Sequence, residues 1–434
     1  MDFALTETQD AIREMLKKLF GELVTDDSLK ALERSGQLFH VKTWRALAQA
    51  QMLGIALPEA VGGAGLGLFE LGLLLQQVGR SVAPIPALET LVMGALPVAR
   101  FGTPDQQARL LPPIIAGDLF LTASLREPGS RLPDRPTTRA LPDGDAWRLT
   151  GVRDCVSGLE GASAILIPAM IEGVGVTVFL LDPAAEGVQT QEQRSTSGER
   201  LALLTLDGAR CGELLGQPGQ GAQIARWIER WTTFGLCALA LGVAERAMFM
   251  TADYAGQRHQ FGAPLGSFQA VSQRMGDAYI DVEAMKVALW QAAFRLDSEP
   301  VRQELPSPRG PMTPISTRPM LDGPPGPPAL VQADLDAIGL ARLGPPLTER
   351  LSDQDPDRAL AIAKFWAAEG CHRVLATAQH IHAGMGFDRD YPLHRYFLWA
   401  RRIEFTLGGA SAQLARLGDM IADEARAPGA DPQP

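Results

Sequence analysis

The run Arg258-His259-Gln260-Phe261-Gly262 gathers residue types suited to a planar, anionic ligand. Arg258 offers a forked set of charge-assisted donors to a pyrophosphate, Gln260 can hydrogen-bond a phosphate or a ring edge, and Phe261 supplies an aromatic face. Gly262 lets backbone come close. Farther along, QHIHAGMG (379–386) places His380, Ala383 and Gly384 where main chain can approach a ligand, with the His380 imidazole able to donate one hydrogen bond. Four of the six histidines (His372, His380, His382 and His394) fall in this region. No acid or thiol completes a coordination sphere around them, and a helix does not bring these spacings to one point, so no metal site is expected. No GxSxG elbow, P-loop or GxGxxG opening a helix is present, which leaves serine hydrolase, NTPase and Rossmann readings without their starting residues.

The elements that must position these residues follow from pattern. At roughly 100–200 residues per domain, 434 residues suggest two or three domains, and 46% hydrophobic residues supply ample core. From Leu5 to about Leu111 the apolar residues recur at helical spacing, as in LFELGLLLQQVGRSV, with breaks at LPEAVGGAGLG and APIPALET. From about Asp118 to Leu214, short runs rich in β-branched residues alternate with turns (LPDGDAWRLTG, ASAILIPAM, GVTVFLLDP, RLALLTLDG). From Ala222 long helical periodicity returns. The expectation is an α+β fold: an N-terminal helical domain (1–117), a middle antiparallel β domain (118–221) and a C-terminal four-helix bundle (222–425), with residues 426–434 a disordered tail.

Between 298 and 357 repeated proline removes backbone donors and fixes φ, so helix cannot continue. The segment reads as a long surface loop inserted between two bundle helices, the alternative being a lid or a partner-docking arm. The formal net charge is −10, with no basic stripe, which argues against nucleic acid as a partner. The N-terminus mixes acids among its apolar residues, unlike a signal peptide, and no uninterrupted apolar run approaches the length of a membrane span. Four separated cysteines without a CxxC pair fit reduced thiols in a cytoplasmic protein.

Read together, YAGQRHQFGAPLGSFQAVSQRMGDAY (254–279), QHIHAGMGFDRDYPLHRYFLWARR (379–402), LGIALPEAVGGAGLG and FGTPDQQARLLPPIIAGDLFLTASLREPG resemble the acyl-CoA dehydrogenase family over nearly the whole chain apart from the Pro-rich insertion. The resemblance implies FAD bound where subunits meet, an acyl-CoA thioester substrate and an electron-transfer acceptor. It assigns Arg258, Gln260, Phe261, His380, Ala383 and Gly384 to FAD of the neighbouring subunit's site, and Ser157, in DCVSG, to a strand position that often meets the flavin. His380 stands where the family usually has Gln, and Ala383 where it usually has Gly.

The same resemblance exposes what is missing. Dehydrogenation removes an α-proton while hydride leaves the β-carbon for the flavin, so a carboxylate must sit beside the thioester. The family's usual Glu is matched by Leu407, before Gly408, and the alternative position on the first bundle helix by Thr232. Neither can take a proton. Glu229 and Glu404 lie nearby in sequence; either could replace the base, though each reads first as a solvated or salt-bridged surface carboxylate. The loop LREPGSRLPD, with Arg126 at the usual Thr position, is shorter than the family's TEPxAGSD-like loop. The expected function is the non-catalytic or weakly catalytic subunit of a heterotetramer formed with a homologous subunit. FWAAEG, DYPLHRYFLWA and TLGGASAQLARLG look most like bacterial subunits acting on CoA thioesters of steroid side chains. The alternatives are a self-sufficient homo-oligomeric dehydrogenase using Glu229 or Glu404, and a flavin-binding protein of this fold that dehydrogenates nothing.

Overall fold

A computed structural model describes residues 5–130, 132–297 and 355–426. Its N-terminal layer is helical. α1 (Glu7–Leu23) starts at a reciprocal cap in which Thr6 and Gln9 satisfy each other's amides, and it buries Ile12, Leu16 and Phe20 at helical spacing. α2 (Asp26–Ser35) and α3 (Val41–Gln49) follow, then α4 (Leu68–Arg80), whose leucines are all buried. A wide π-type turn, Leu88–Ala95, is buried at every position and leads into α5 (Leu96–Phe101) and α6 (Pro104–Ile115).

The middle layer is an eight-stranded sheet: β1 (Leu121–Ala123), β2 (Arg139–Asp143), β3 (Ala146–Ser157), β4 (Ala164–Ile171), β5 (Gly175–Leu181), β6 (Val188–Arg194), β7 (Arg200–Cys211) and β8 (Leu214–Leu215). The strand order is β6-β7-β3-β2-β4-β5-β8, with β1 beside β4. Pairing is antiparallel except at β1–β4 and β2–β4, which run parallel. Alternating inward residues, including Leu149, Ile167, Phe179 and Leu204, make this layer's own core.

The C-terminal layer is built on α7 (Gly221–Gln257), which packs against α4, α8 (Gln269–Asp297), α9 (Pro356–His382) and α10 (Leu393–Phe405), with α11 (Ala410–Arg426) lying on α9. α7 is long and apolar enough to cross a membrane, with a mean hydropathy of 1.4 over its most apolar window, although the uninterrupted apolar runs in the sequence are short. That window is 83% buried inside the fold, as the central helix of a bundle requires. Residues 298–354 of the Pro-rich insertion lie outside the described residues. Its last three belong instead to the start of α9, where Asp355 accepts the Asp357 amide at 2.9 Å and Pro356 takes the first helical position. Of the expected tail, Arg426 closes α11 and residues 427–434 lie outside the described residues.

The close crossing of α4 and α7 depends on two glycines. A methyl on Gly242 would meet the Gln76 carbonyl, and one on Gly79 the Leu239 carbonyl. Gly242→Ala is therefore expected to cost about 1–3 kcal/mol by overpacking, read from the denaturant midpoint. Gly256→Ala, on the same helix with open space around it, is expected to be neutral or slightly stabilising.

Candidate functional site

α7 stops where Arg258, in extended conformation, gives its amide to the Tyr254 carbonyl at 2.8 Å. The chain then makes a minimal hairpin, β9 (His259–Gln260) against β10 (Ala263–Pro264), whose two turn residues are Phe261 (φ 53°) and Gly262 (φ 80°). Left-handed backbone suits Gly262; at Phe261 it is unusual for a bulky residue. The ring stands 95% exposed, with only an edge contact to Phe268 at a centroid distance of 6.2 Å. Gln260 donates to the His259 carbonyl at 2.7 Å. Arg258 is exposed, and no ion pair of its guanidinium is seen among the described residues.

The 379–391 turn lies at the same end of the bundle. His382 is buried, stacked on Tyr254 at 4.3 Å, with Nδ1 against the Ala378 carbonyl at 2.9 Å and Nε2 against the Tyr391 hydroxyl at 3.0 Å. Burial lowers its pKa from the ordinary histidine value, against the hydrogen bond to the Ala378 carbonyl, which raises it. Gln379 holds the turn closed by donating to the Gly386 carbonyl at 3.0 Å. His380, Ala383 (φ 50°) and Gly384 remain exposed, as do Met385 and Phe387. The structure thus brings Arg258, Gln260 and Phe261 to the same end of the molecule as His380, Ala383 and Gly384. His372 faces Glu404 and His394 faces the Tyr391 carbonyl. Among the described residues no group of three metal-ligating side chains comes together.

The positions examined for a base sit elsewhere. Leu407 (φ 56°) and Gly408 (φ 91°) form the turn between α10 and α11, with Leu407 packed on the main core. Lys364, fully buried on α9, fixes the preceding helix end by donating to the Ile403 carbonyl at 2.7 Å; burial lowers its pKa to about 8. Thr232 is buried and spends its hydroxyl on the Ile228 carbonyl at 2.7 Å. Glu404 is ion-paired to Arg401 at 2.7 Å, as a salt-bridged carboxylate. Glu229, read from sequence as a solvated or salt-bridged surface carboxylate, is half-buried; burial, with Asp134 and Asp357 nearby, raises its pKa despite Arg416 and Arg230.

Two buried charge clusters were not legible in the sequence. In the first, Glu127 of the LREPGS loop accepts the amides and hydroxyls of Thr137 and Thr138 at 2.5–2.9 Å and pairs with Arg153 at 3.2 Å. Arg153, fully buried on β3, also donates to the Pro168 carbonyl. Arg126 of the same loop lies 3.6 Å from Asp154. In the second, Arg402 of α10 reaches Glu89 of the π-type turn at 3.2 Å and Glu199 at the β6–β7 turn. Glu89 packs against Gly158, next to Ser157, whose carbonyl accepts from the Thr122 hydroxyl at 2.8 Å. The second cluster therefore ties together the element bearing Ser157 and the helix leading to Leu407. Burial raises the Glu199 pKa. Buried acids and arginines have no period or spacing of their own, so no local signal marks them.

Residues 6–118 match the acyl-CoA dehydrogenase N-terminal domain, and residues 219–313 and 329–421 match the C-terminal domain; the chain belongs to the acyl-CoA dehydrogenase family. It is 34% identical over 424 residues to acyl-CoA dehydrogenase FadE27 of Mycobacterium tuberculosis, covering 98% of this chain and 99% of that one. Among solved structures it is similar to the ChsE4-ChsE5 complex of M. tuberculosis (33% identity, TM-score 0.80, 98% and 99% covered). It is also similar to the Tcur3481-Tcur3483 steroid ACAD G363A variant (37% identity, TM-score 0.77, 96% and 99% covered).

The family's cofactor is FAD. The exposed hairpin fits it: a guanidinium for phosphate, an amide and an uncovered aromatic face project from one turn. Ser157 and Leu407 lie on elements that the Arg402–Glu89–Glu199 cluster joins.

Proposed function

We propose that this chain is the non-catalytic or weakly catalytic subunit of a heteromeric, FAD-dependent acyl-CoA dehydrogenase that desaturates CoA thioesters, with a steroid side chain as the acyl group. Arg258, Gln260 and Phe261, with the His380, Ala383 and Gly384 turn, complete FAD binding in a homologous partner that owns the base. When held there, FAD would supply the hydride acceptor for the desaturation, with an electron-transfer protein as the expected oxidant. One observation carries the reading: an aromatic ring 95% exposed on a strained left-handed residue is a costly way to end a hairpin unless another molecule covers it. The kinship with the two-component complexes supports a heteromer, and the steroid ACAD among them supports the acyl group. A cytoplasmic location accords with the four free thiols.

The test uses the assembled complex. Arg258→Ala is expected to release FAD, through loss of a charge-assisted contact worth about 1.5–3 kcal/mol, while both subunits stay folded and associated on gel filtration. Unchanged flavin content would make Arg258 structural only.

The half-buried Glu229 favours one second reading, a self-sufficient dehydrogenase with Glu229 as base, since a raised carboxyl pKa suits proton abstraction. Steady-state turnover separates the two. In the complex, Glu229→Gln and Glu404→Gln are expected to retain activity, and Leu407→Glu to gain none, because a base helps only within reach of a held thioester. A loss of about a hundredfold or more in either Gln variant at normal flavin content would make that glutamate the base.

A further inference from the structure

Residues of α1, α2, α4, α7 and α10 line a cavity of about 460 Å³ that none of the flavin-directed residues lines. That volume falls within the range of small-molecule sites. Its walls carry four cations, Lys17 on α1, Arg80 at the end of α4, Arg246 on α7 and Arg395 on α10, against a single acid, Asp26. The deepest cation is Arg395, only 7% exposed. Its Nε donates to Glu33 at 2.8 Å and its Nη1 to Asp26 at 2.5 Å, but its buried Nη2 has no hydrogen-bond partner among the described residues.

An orphaned guanidinium N–H this far from water forgoes hydration without compensation. The neighbouring acids do not supply it: Asp26 is shared with Lys30 at 2.8 Å, and Glu245, which faces Arg80 at 3.4 Å, lies outside the lining. The same lining includes apolar side chains, among them Leu29, Val82 and Met250. We propose that this cavity binds a small organic anion, with a carboxylate or phosphate head on Arg395 flanked by Arg80 and Arg246, and an apolar body against Leu29, Val82 and Met250. The guanidinium fork suits either head group, since both present paired oxygens.

The probes are hexanoate, hexyl phosphate and, as a neutral control, hexanol, titrated against the purified protein by calorimetry at fixed ionic strength. Saturable binding of at least one anion is expected, with none for hexanol; the better anion identifies the head group. Arg395→Gln is expected to weaken that binding at least tenfold. Because Arg395 also holds Asp26 and Glu33, Arg246→Gln, at an exposed position, is the second variant and is expected to weaken binding severalfold in a normally folded protein. The proposal is overturned if neither anion binds saturably, if hexanol binds equally well, or if Arg246→Gln and a folded Arg395→Gln both bind like the parent protein.

Discussion

Purified alone, the chain is expected to be nearly colourless and to turn over no acyl-CoA thioester, whereas co-purified with its partner subunit it should carry flavin and gain activity of at least a hundredfold. The expectation rests on separate features that agree. At the base position stands Leu407, packed on the core, and at the alternative position Thr232, whose hydroxyl is already committed to Ile228. Arg126, replacing the family's threonine in the loop, lies beside Asp154. The Arg402–Glu89–Glu199 cluster closes the junction between the β3 end and α10. Removing an acid–base group alone costs about 10²–10⁴ in rate, and a poorly held flavin lowers activity further. Absorbance of the purified protein and an electron-acceptor assay over several thioesters, steroid-side-chain thioesters included, provide the readouts. A homo-oligomer with full flavin and turnover would refute the heteromeric assignment.

Glu127→Ala should be the most destabilising single substitution discussed, at about 3–5 kcal/mol, because it leaves the Arg153 charge buried and unpaired. It also strands the Thr137 and Thr138 amides and hydroxyls that Glu127 now accepts. Thermal or denaturant unfolding would measure it; a loss below about 1 kcal/mol, the scale of an exposed ion pair, would show that the cluster is not buried in solution. The pH dependence has a definite sign. Burial alone would raise the Glu127 pKa, but Arg153 and the threonine hydrogen bonds outweigh it and hold the carboxyl below its ordinary value. Its stabilisation is therefore complete above the unfolded carboxyl pKa and is lost as pH falls through the lower folded one. Glu127→Gln should remove that part of the acid sensitivity. Arg153, lowered by burial only to about 10, keeps its charge throughout this range.

The contrast between the hairpin and the ion clusters shows why some of the site was readable and some was not. Arg258 to Gly262 are neighbours in sequence, so their grouping and their setting at a helix end were readable together. The long helices were equally plain, because apolar spacing is a local property, and so were the longer strands. β6, VQTQEQR, has a polar sequence and is a strand only because β7 pairs with it along its full length. Glu229 misled for the opposite reason. A lone acid on a helix reads as solvated, and only the packing of Arg416, Asp134 and Asp357 around it creates a half-buried carboxyl.

By itself the sequence determined the three-layer α+β plan, the family kinship, and the grouping of Arg258, Gln260, Phe261 and Gly262 in one short run. All of these are properties of residues close together along the chain. Only the tertiary structure decided that Phe261 stands uncovered, that Arg402 joins three layers through Glu89 and Glu199, that Glu127 and Arg153 neutralise each other inside the sheet layer, and that Arg395, in the lining of a cavity, keeps a buried N–H without a partner. Exposure and charge pairing depend on which distant segments come together, and Arg402 and Glu89 lie more than three hundred positions apart. No periodicity spans that distance; the packing of whole elements against one another brings such partners within reach.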